Sequence, residues 1–452
     1  MLFQSCSFKQ EVDNKKLPNI VLILLNNVGI KDLNCINGNF STPYLNKIIK
    51  ESIVFSNAHS ASSSGNPSMV SILTGKHPFK YNVYSDEHSD DYGNQYKKLL
   101  TPRNIYSFKS NFATLPNNLK SKGYTTCFVG KWGISNSPLD LGFDINIAGN
   151  AEPFVRSYYS PFNIQNLSDG KQNEHLTDRL STEALNLITS TRTPFFLTLS
   201  YYSVSPPFNF TSNTQEHAYN ELIKRLDKNI GNIYKTVSSD KTLRENTIFI
   251  ITSVNGAINA ISPQLPFRGG KGSYYDGGIR VPLFVKVPSK KAQNIKAPVS
   301  LLDIYPSIME WSNANFTNMH CDGISLMHTL QRNESINSRS LFWHFPIYTP
   351  AYHPDKDNSK DPYFRTRPGS AIKKGDYKLI EYFEDGEIEL YDIKNDAGEQ
   401  FNIAQTEQSI ANAYLKELSH WRAKHNALVP NKQNPNYKPV TLSDNSNTIN
   451  SY

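Results

Sequence analysis

The sequence predicts an α/β fold in which a large, doubly wound and mostly parallel sheet, with helices on both faces, precedes a smaller C-terminal antiparallel sheet and helix. Three observations carry this. Continuous apolar runs at Pro18–Leu25, Pro194–Ser200 and Asn246–Ser253 are too short for helices of that hydrophobicity and suit strands buried on both faces. Helical patterns lie between them, above all Glu216–Val237, which places Leu222, Ile223, Leu226, Ile230 and Ile233 on one face. After about residue 335 the pattern changes to short strands punctuated by tight turns. A chain of 452 residues suits one large domain with an appendage. The expected divisions are a tether at 1–17, an α/β domain at 18–335, a small α+β domain at 336–428 and a disordered, Asn-, Ser- and Pro-rich tail at 429–452.

Composition narrows the function. The net charge of +7 is modest and its Lys and Arg are spread along the chain, so a solvated, slightly basic surface is expected and no nucleic-acid partner. No apolar run is long enough for a transmembrane segment. Cys6, Cys35, Cys127 and Cys321 show neither CxxC pairing nor zinc spacing, and Cys127 reads as a buried small hydrophobe in a strand. The opening Met1-Leu2-Phe3-Gln4-Ser5-Cys6 looks like the end of a bacterial lipoprotein signal. A start further upstream would make Cys6 the lipidated residue of an exported, periplasmic or surface protein; a plain disordered N-terminus is the other reading.

Taken in order, β-strand Pro18–Leu25 delivers Asn26 and Asn27 to its carboxyl end, where open α/β sheets bind ligands. A short amphipathic helix at Thr42–Glu51 and a strand around Val54–Ala58 lead to Ser63-Ser64-Gly65-Asn66-Pro67-Ser68-Met69-Val70-Ser71-Ile72-Leu73-Thr74-Gly75-Lys76. That stretch is a small-residue loop turning into a helix, with Pro67 in the first turn and Gly75 as the stop. Its N-terminus is an anion seat, and Ser64 and Ser68 are expected to cap it. Residues 82–112 are polar, Tyr-rich and aperiodic, and read as a surface insertion. A helix at Leu115–Lys122 ends at Gly123, and a strand through Thr125–Val129 runs into Gly130-Lys131-Trp132-Gly133. Pro194–Ser200 runs into Tyr201-Tyr202-Ser203-Val204-Ser205-Pro206-Pro207, and Asn246–Ser253 into Val254-Asn255-Gly256. Strands at Ser340–Phe345, Gly369–Lys374, Tyr377–Tyr382 and Glu387–Asp392, with a helix at Gln405–His425, complete the small domain.

Residues 63–76 resemble the sulfatase signature, a Cys or Ser followed by x-Pro-Ser-Arg and then Leu-Thr-Gly-Arg. The resemblance extends over about 18–428 through Pro18-Asn19-Ile20-Val21, Gly130-Lys131-Trp132, Phe267-Arg268-Gly269-Gly270-Lys271-Gly272, Asp276-Gly277-Gly278-Ile279-Arg280-Val281-Pro282 and Ala297–Trp311, the segment in which sulfatases close the main sheet. Leu141–Ile147 and Leu176–Leu180 are similar to segments of secreted bacterial polysaccharide sulfatases. The resemblance implies the arylsulfatase-like fold of the alkaline phosphatase superfamily. It also implies a hydrated formylglycine attacking sulfur, with calcium and basic side chains holding the sulfate oxygens. Carried over by position, the formylglycine falls on Gly65, its supporting Arg on Met69 and the two histidines on Gly133 and Ser205. The calcium aspartates fall on Asn26, Asn27 and Val254, while Asn255 and the sulfate-contacting Lys131 and Lys271 are kept.

Glycine has no side chain to oxidise, and calcium affinity tracks ligand charge, so neither formylglycine nor calcium is expected as a cofactor. By charge counting, the family's metal, aspartates, Arg and lysines sum to about +2, and two lysines alone also give about +2. The expectation is an inactive member whose pocket binds a sulfated glycan or other sulfate ester through Lys131 and Lys271. The alternatives are an active sulfuric-ester hydrolase with an atypical site, a structural partner of an active sulfatase, and a metal-dependent phosphatase or phosphodiesterase on the related fold. The last needs Asp and His zinc ligands that the strand ends lack. Arg268 and the Gly269-Gly270 turn are expected to be structural, and His59, His77, His344 and His353 packed or solvated.

Overall fold

Asn19–Leu25 (β1) lies inside the large sheet and is buried on both faces, Ile20, Leu22 and Leu24 packing into one core and Val21, Ile23 and Leu25 into the other. The computed structural model describes residues 17–33, 38–86, 94–107, 114–202, 204–205, 215–288, 290–314, 321–327, 339–353, 355–361 and 363–438. Cys6, Cys35, Ser203, Pro206, Pro207, the tether to residue 16 and the tail from 439 lie outside them.

The following strands are β2 (Ile53–Phe55), β3 (Ala58–His59), β4 (Thr125–Gly130), β5 (Ile145–Ile147), β6 (Phe195–Ser200), β7 (Thr247–Ser253), β8 (Leu283–Lys286), β9 (Gln293–Ile295) and β10 (Val299–Ser300). The large sheet runs in the order β5-β4-β6-β1-β7-β8-β2-β9. Its first five strands are mutually parallel, and β8 runs antiparallel to β7 and β2. Helices α1 (Pro43–Ile49), α2 (Gly65–Thr74), α3 (Leu115–Lys120), α4 (Leu176–Ser190), α5 (Gln215–Ser239), α6 (Lys241–Asn246), α7 (Asp276–Ile279) and α8 (Ile304–Trp311) connect them. The apolar positions of α2, α3 and α8 fill one core, and those of α1, α4 and α5 the other, which is the doubly wound arrangement.

The smaller sheet takes β11 (Leu341–Phe345), β14 (Gly369–Lys374), β15 (Tyr377–Tyr382) and β16 (Ile388–Asp392) in that order, all antiparallel; β12 (Thr349–Pro350) and β13 (Phe364–Thr366) pair beside it. One face packs under α9 (Gln408–His425), and the other receives Tyr274, Tyr275 and Ile279 from the large sheet's side. Arg268 stacks on Tyr275, 4.1 Å from the ring, and donates to the Glu399 carbonyl, so its role is to join the two sheets.

Three expectations need correction. Residues 82–112 are not simply a surface insertion: Val83, Tyr84, Ser85 and Asp86 are buried, as are Leu99 and Asn104. The C-terminal tail is not disordered from its start, because Gln433 bridges to Leu99 and Asn434 donates to the carbonyls of Asn94 and Lys97. Val299–Ser300 does not close the large sheet but pairs with Ala58–His59 in a separate ladder.

Candidate functional site

The carboxyl ends of β4, β6, β1 and β7 emerge side by side, since these are neighbours in the sheet and parallel. Sheet order thus collects residues far apart in sequence: Lys131 follows β4, Ser205 lies beyond β6, Asn26 and Asn27 follow β1, and Val254 and Asn255 follow β7. The N-terminus of α2, with Gly65 as its first residue, faces this row. An added Cβ on Gly65 would lie 3.0 Å from Asn26 Oδ1, 3.3 Å from Asp86 Oδ2 and 3.3 Å from Val254 Cγ2. Position 65 therefore looks into the site, as the sequence implied, and a side chain there would need its neighbours to give by a few tenths of an ångström.

The polar network is dense. Lys131 Nζ donates to Asn26 Oδ1 at 3.2 Å and stands 3.7 Å from Asp86 Oδ2. Lys271 Nζ donates to Asp86 Oδ2 at 3.2 Å. The two lysines and the carboxylate are each 2% exposed or less. Ser64 donates its hydroxyl to Asp86 Oδ1 and accepts the Asp86 N–H at 3.2 Å. Burial alone would raise the Asp86 pKa, but Lys271, then Lys131, and the Ser64 bond hold its carboxyl well below the usual carboxylate range. On the far side, Asn27 Nδ2 donates to Val204 O and to Ser205 Oγ at 2.9 Å, and Asn255 Nδ2 donates to Asn27 Oδ1 at 2.9 Å. Asn255 Oδ1 is buried without a hydrogen-bond partner.

Two further positions show why the implied catalytic side chains have no room. Gly133 has φ +73°, and an added Cβ would meet the Asn66 amide at 2.7 Å, while Asn66 Nδ2 donates to Gly133 O. A side chain at 133 is strained by the backbone and requires the Asn66 amide to move. Met69 is packed into the apolar core and faces no polar partner there. The serines also differ from expectation. Ser64 makes no cap bond to α2, its hydroxyl being engaged by Asp86, and Ser68 Oγ bonds the Ser62 backbone on both its N–H and C=O sides.

A calcium ion does not fit this donor set. Asn26 Oδ1 takes an ammonium, Asn27 Oδ1 takes an amide, Val254 has no donor atom, and the one carboxylate present lies between two lysines. A divalent cation there would sit among ammonium groups with one negative charge to balance it. A formylglycine likewise has no side chain to derive from at position 65. Among the described residues no group of three or more His, Cys, Asp or Glu is placed to hold a metal. His59, His77 and His344 are packed: His59 Nε2 lies 2.9 Å from Lys373 Nζ, His77 stacks with Phe79, and His344 bonds Ser370 and the Leu428 carbonyl.

Asp86 was missed because no period or motif marks it. The available signal was physical: two lysines brought to buried strand ends require a countercharge, and Asn26, Asn27, Val254 and Asn255 carry none.

Comparison with known proteins bears on the fold. The family profile "Sulfatase" matches residues 18–314, and "N-sulphoglucosamine sulphohydrolase, C-terminal" matches 270–424. A "Sulfatase" of Formosa agariphila is 23% identical, spanning 94% of this chain and 92% of its own. Human N-acetylgalactosamine-6-sulfatase is 29% identical over 72% of this chain and 68% of its own. The crystal structure of Ps i-CgsB in complex with k-i-k-neocarrahexaose superposes with a TM-score of 0.72 at 21% identity, covering 90% of this chain and 93% of that one. BT4656 in complex with its substrate D-glucosamine-2-N,6-O-disulfate superposes with a TM-score of 0.68 at 18% identity, covering 91% and 98%. These solved structures share the large mixed sheet and the small antiparallel sheet with its C-terminal helix.

Proposed function

The chain belongs to the sulfatase family, and from that premise we propose that it is a non-hydrolytic member that binds sulfated glycans. The observation that carries this is the retention of Lys131 and Lys271 as a buried pair facing position 65, where no side chain exists to act as a nucleophile. Relatives named as acting on sulfated sugars, N-acetylgalactosamine-6-sulfatase among them, support the ligand class. In this reading the lysine pair takes the sulfate group of the saccharide. No helix among the described residues is long and apolar enough to cross a membrane; export and a lipid on Cys6 belong to the same proposal.

One observation favours the rival reading of an active hydrolase, namely the Ser64 hydroxyl bonded to Asp86. A nucleophilic serine needs a base, however, and Asp86 is held far below the range in which it accepts protons at neutral pH. Ser64 is therefore a hydrogen-bond donor that fixes Asp86.

Calorimetric titration with calcium, then with sulfated and matched desulfated oligosaccharides, followed by a released-sulfate assay, tests the reading. The expected result is binding of a sulfated sugar without calcium, weakened at least tenfold by Lys131→Met or Lys271→Met, with no sulfate released. Steady sulfate release that those substitutions abolish would overturn it.

A further inference from the structure

We infer that Asp86 is the resident anion of the lysine pair, an intramolecular carboxylate seated where a sulfate group would bind, so that sulfate enters only by displacing it. This deepens the glycan-binding reading and rests on it for the identity of the competing ligand.

The geometry is that of an occupied seat. Asp86 Oδ2 lies 3.2 Å from Lys271 Nζ, 3.7 Å from Lys131 Nζ and 3.3 Å from where a side chain on Gly65 would begin. Ser64 clamps the other oxygen and the backbone N–H of the same residue, which orients the carboxylate toward the lysines. Charge makes the exchange one for one, because a carboxylate and a sulfate monoester each bring a single negative charge to the same two ammoniums. A tethered carboxylate has an effective concentration of at least the order of millimolar. An external sulfate must exceed that, and sulfate contacts by themselves are therefore weak in the wild-type protein; a sugar bearing the sulfate must supply the remainder through its ring contacts.

The experiment is thermal unfolding and calorimetry of the full chain with inorganic sulfate, comparing wild type, Asp86→Ala, which opens the seat, and Asp86→Asn, which fills it without charge. Sulfate is expected to bind Asp86→Ala at least tenfold more tightly than wild type, to raise its Tm, and to act more weakly on Asp86→Asn. Lys271→Met added to Asp86→Ala should remove the response. A variant that folds in sulfate but not in chloride also supports the inference. Folded variants indifferent to sulfate would overturn it, and so would variants unfolded in both salts, which would make the carboxylate structural and irreplaceable.

A sulfated oligosaccharide separates this inference from the glycan reading. If Asp86→Ala takes inorganic sulfate and neither form takes the sugar, the glycan reading falls and the inference stands. If wild type and Asp86→Ala take the sugar equally, and Lys131→Met abolishes it in both, the inference falls and the glycan reading stands.

Discussion

At the carboxyl ends of the large sheet Lys131 and Lys271 share one carboxylate, Asp86, whereas at the seam between the sheets Lys378 stands between two, Asp276 at 2.7 Å and Glu399 at 2.5 Å. Both clusters are buried to within a few per cent. Lys373 at 4.0 Å and Arg280 at 3.6 Å from Asp276 extend the seam, and Glu399 also takes a backbone N–H, that of Asp276. The strand-end carboxylate is fixed instead by the Ser64 hydroxyl. A lysine bridging carboxylates from two elements can hold two sheets in register. The contrast sets the cluster proposed to receive an anion against the joint between the two sheets.

The largest effect should come from breaking the joint. Lys378→Met leaves Asp276 and Glu399 buried beside each other, and removal of one partner from such a network costs on the order of 3–5 kcal/mol. Urea unfolding should show a correspondingly lower midpoint. A loss under about 1 kcal/mol would mean that the seam is no more constrained than the seat, which would dissolve the contrast.

A pH series sharpens the comparison further. Burial lowers His77 to about 4 and His344 to about 3, and both pack beside the small sheet. The unfolded chain protonates these histidines near their ordinary value while the folded chain does not. Stability is therefore fully present above about pH 6.5 and is lost as pH falls toward 4. Each histidine contributes roughly 1 kcal/mol of loss between pH 6.5 and 5.5. Glu399 opposes them, because burial raises its carboxyl and the folded state binds its proton first as pH falls. The loss on acidification should therefore be larger in Glu399→Gln, where the opposing uptake is gone. Asp86 lies below this window, so Asp86→Asn should leave the slope unchanged. A flat profile in all three proteins would contradict this account of the seam.

The sequence made the large sheet legible because a strand buried on both faces is an unbroken apolar run, and β1, β6 and β7 are such runs. It made the strand ends legible for the same reason: Asn26, Lys131, Ser205 and Asn255 each follow one, and parallel neighbours must bring them together. Asp86 was not legible, since it reaches the site from an aperiodic segment and local pattern says nothing about which acidic residue crosses 22 positions of chain to meet Ser64. The pairing of Asn434 with the carbonyls of Asn94 and Lys97 escaped for a related reason. A polar, Asn-rich composition describes a segment that cannot build a core, and it is silent about one that lies down on a core built elsewhere.

The smallest expected effect is the most discriminating. Lys131→Met removes one ammonium from the seat and leaves Lys271 facing Asp86, with a flexible apolar side chain in the vacated volume. Asn26 Oδ1 loses a donor, which costs about 1 kcal/mol, while an ammonium that no longer has to be desolvated acts in the opposite direction. The two terms offset, and the stability change in denaturant should stay within about 1 kcal/mol. The same lysine-to-methionine exchange at Lys378 is expected to cost several times more, so the ratio between the two substitutions measures the difference between the clusters directly. Equal losses would show that Lys131 is held for the fold, and the seat would then be a second joint.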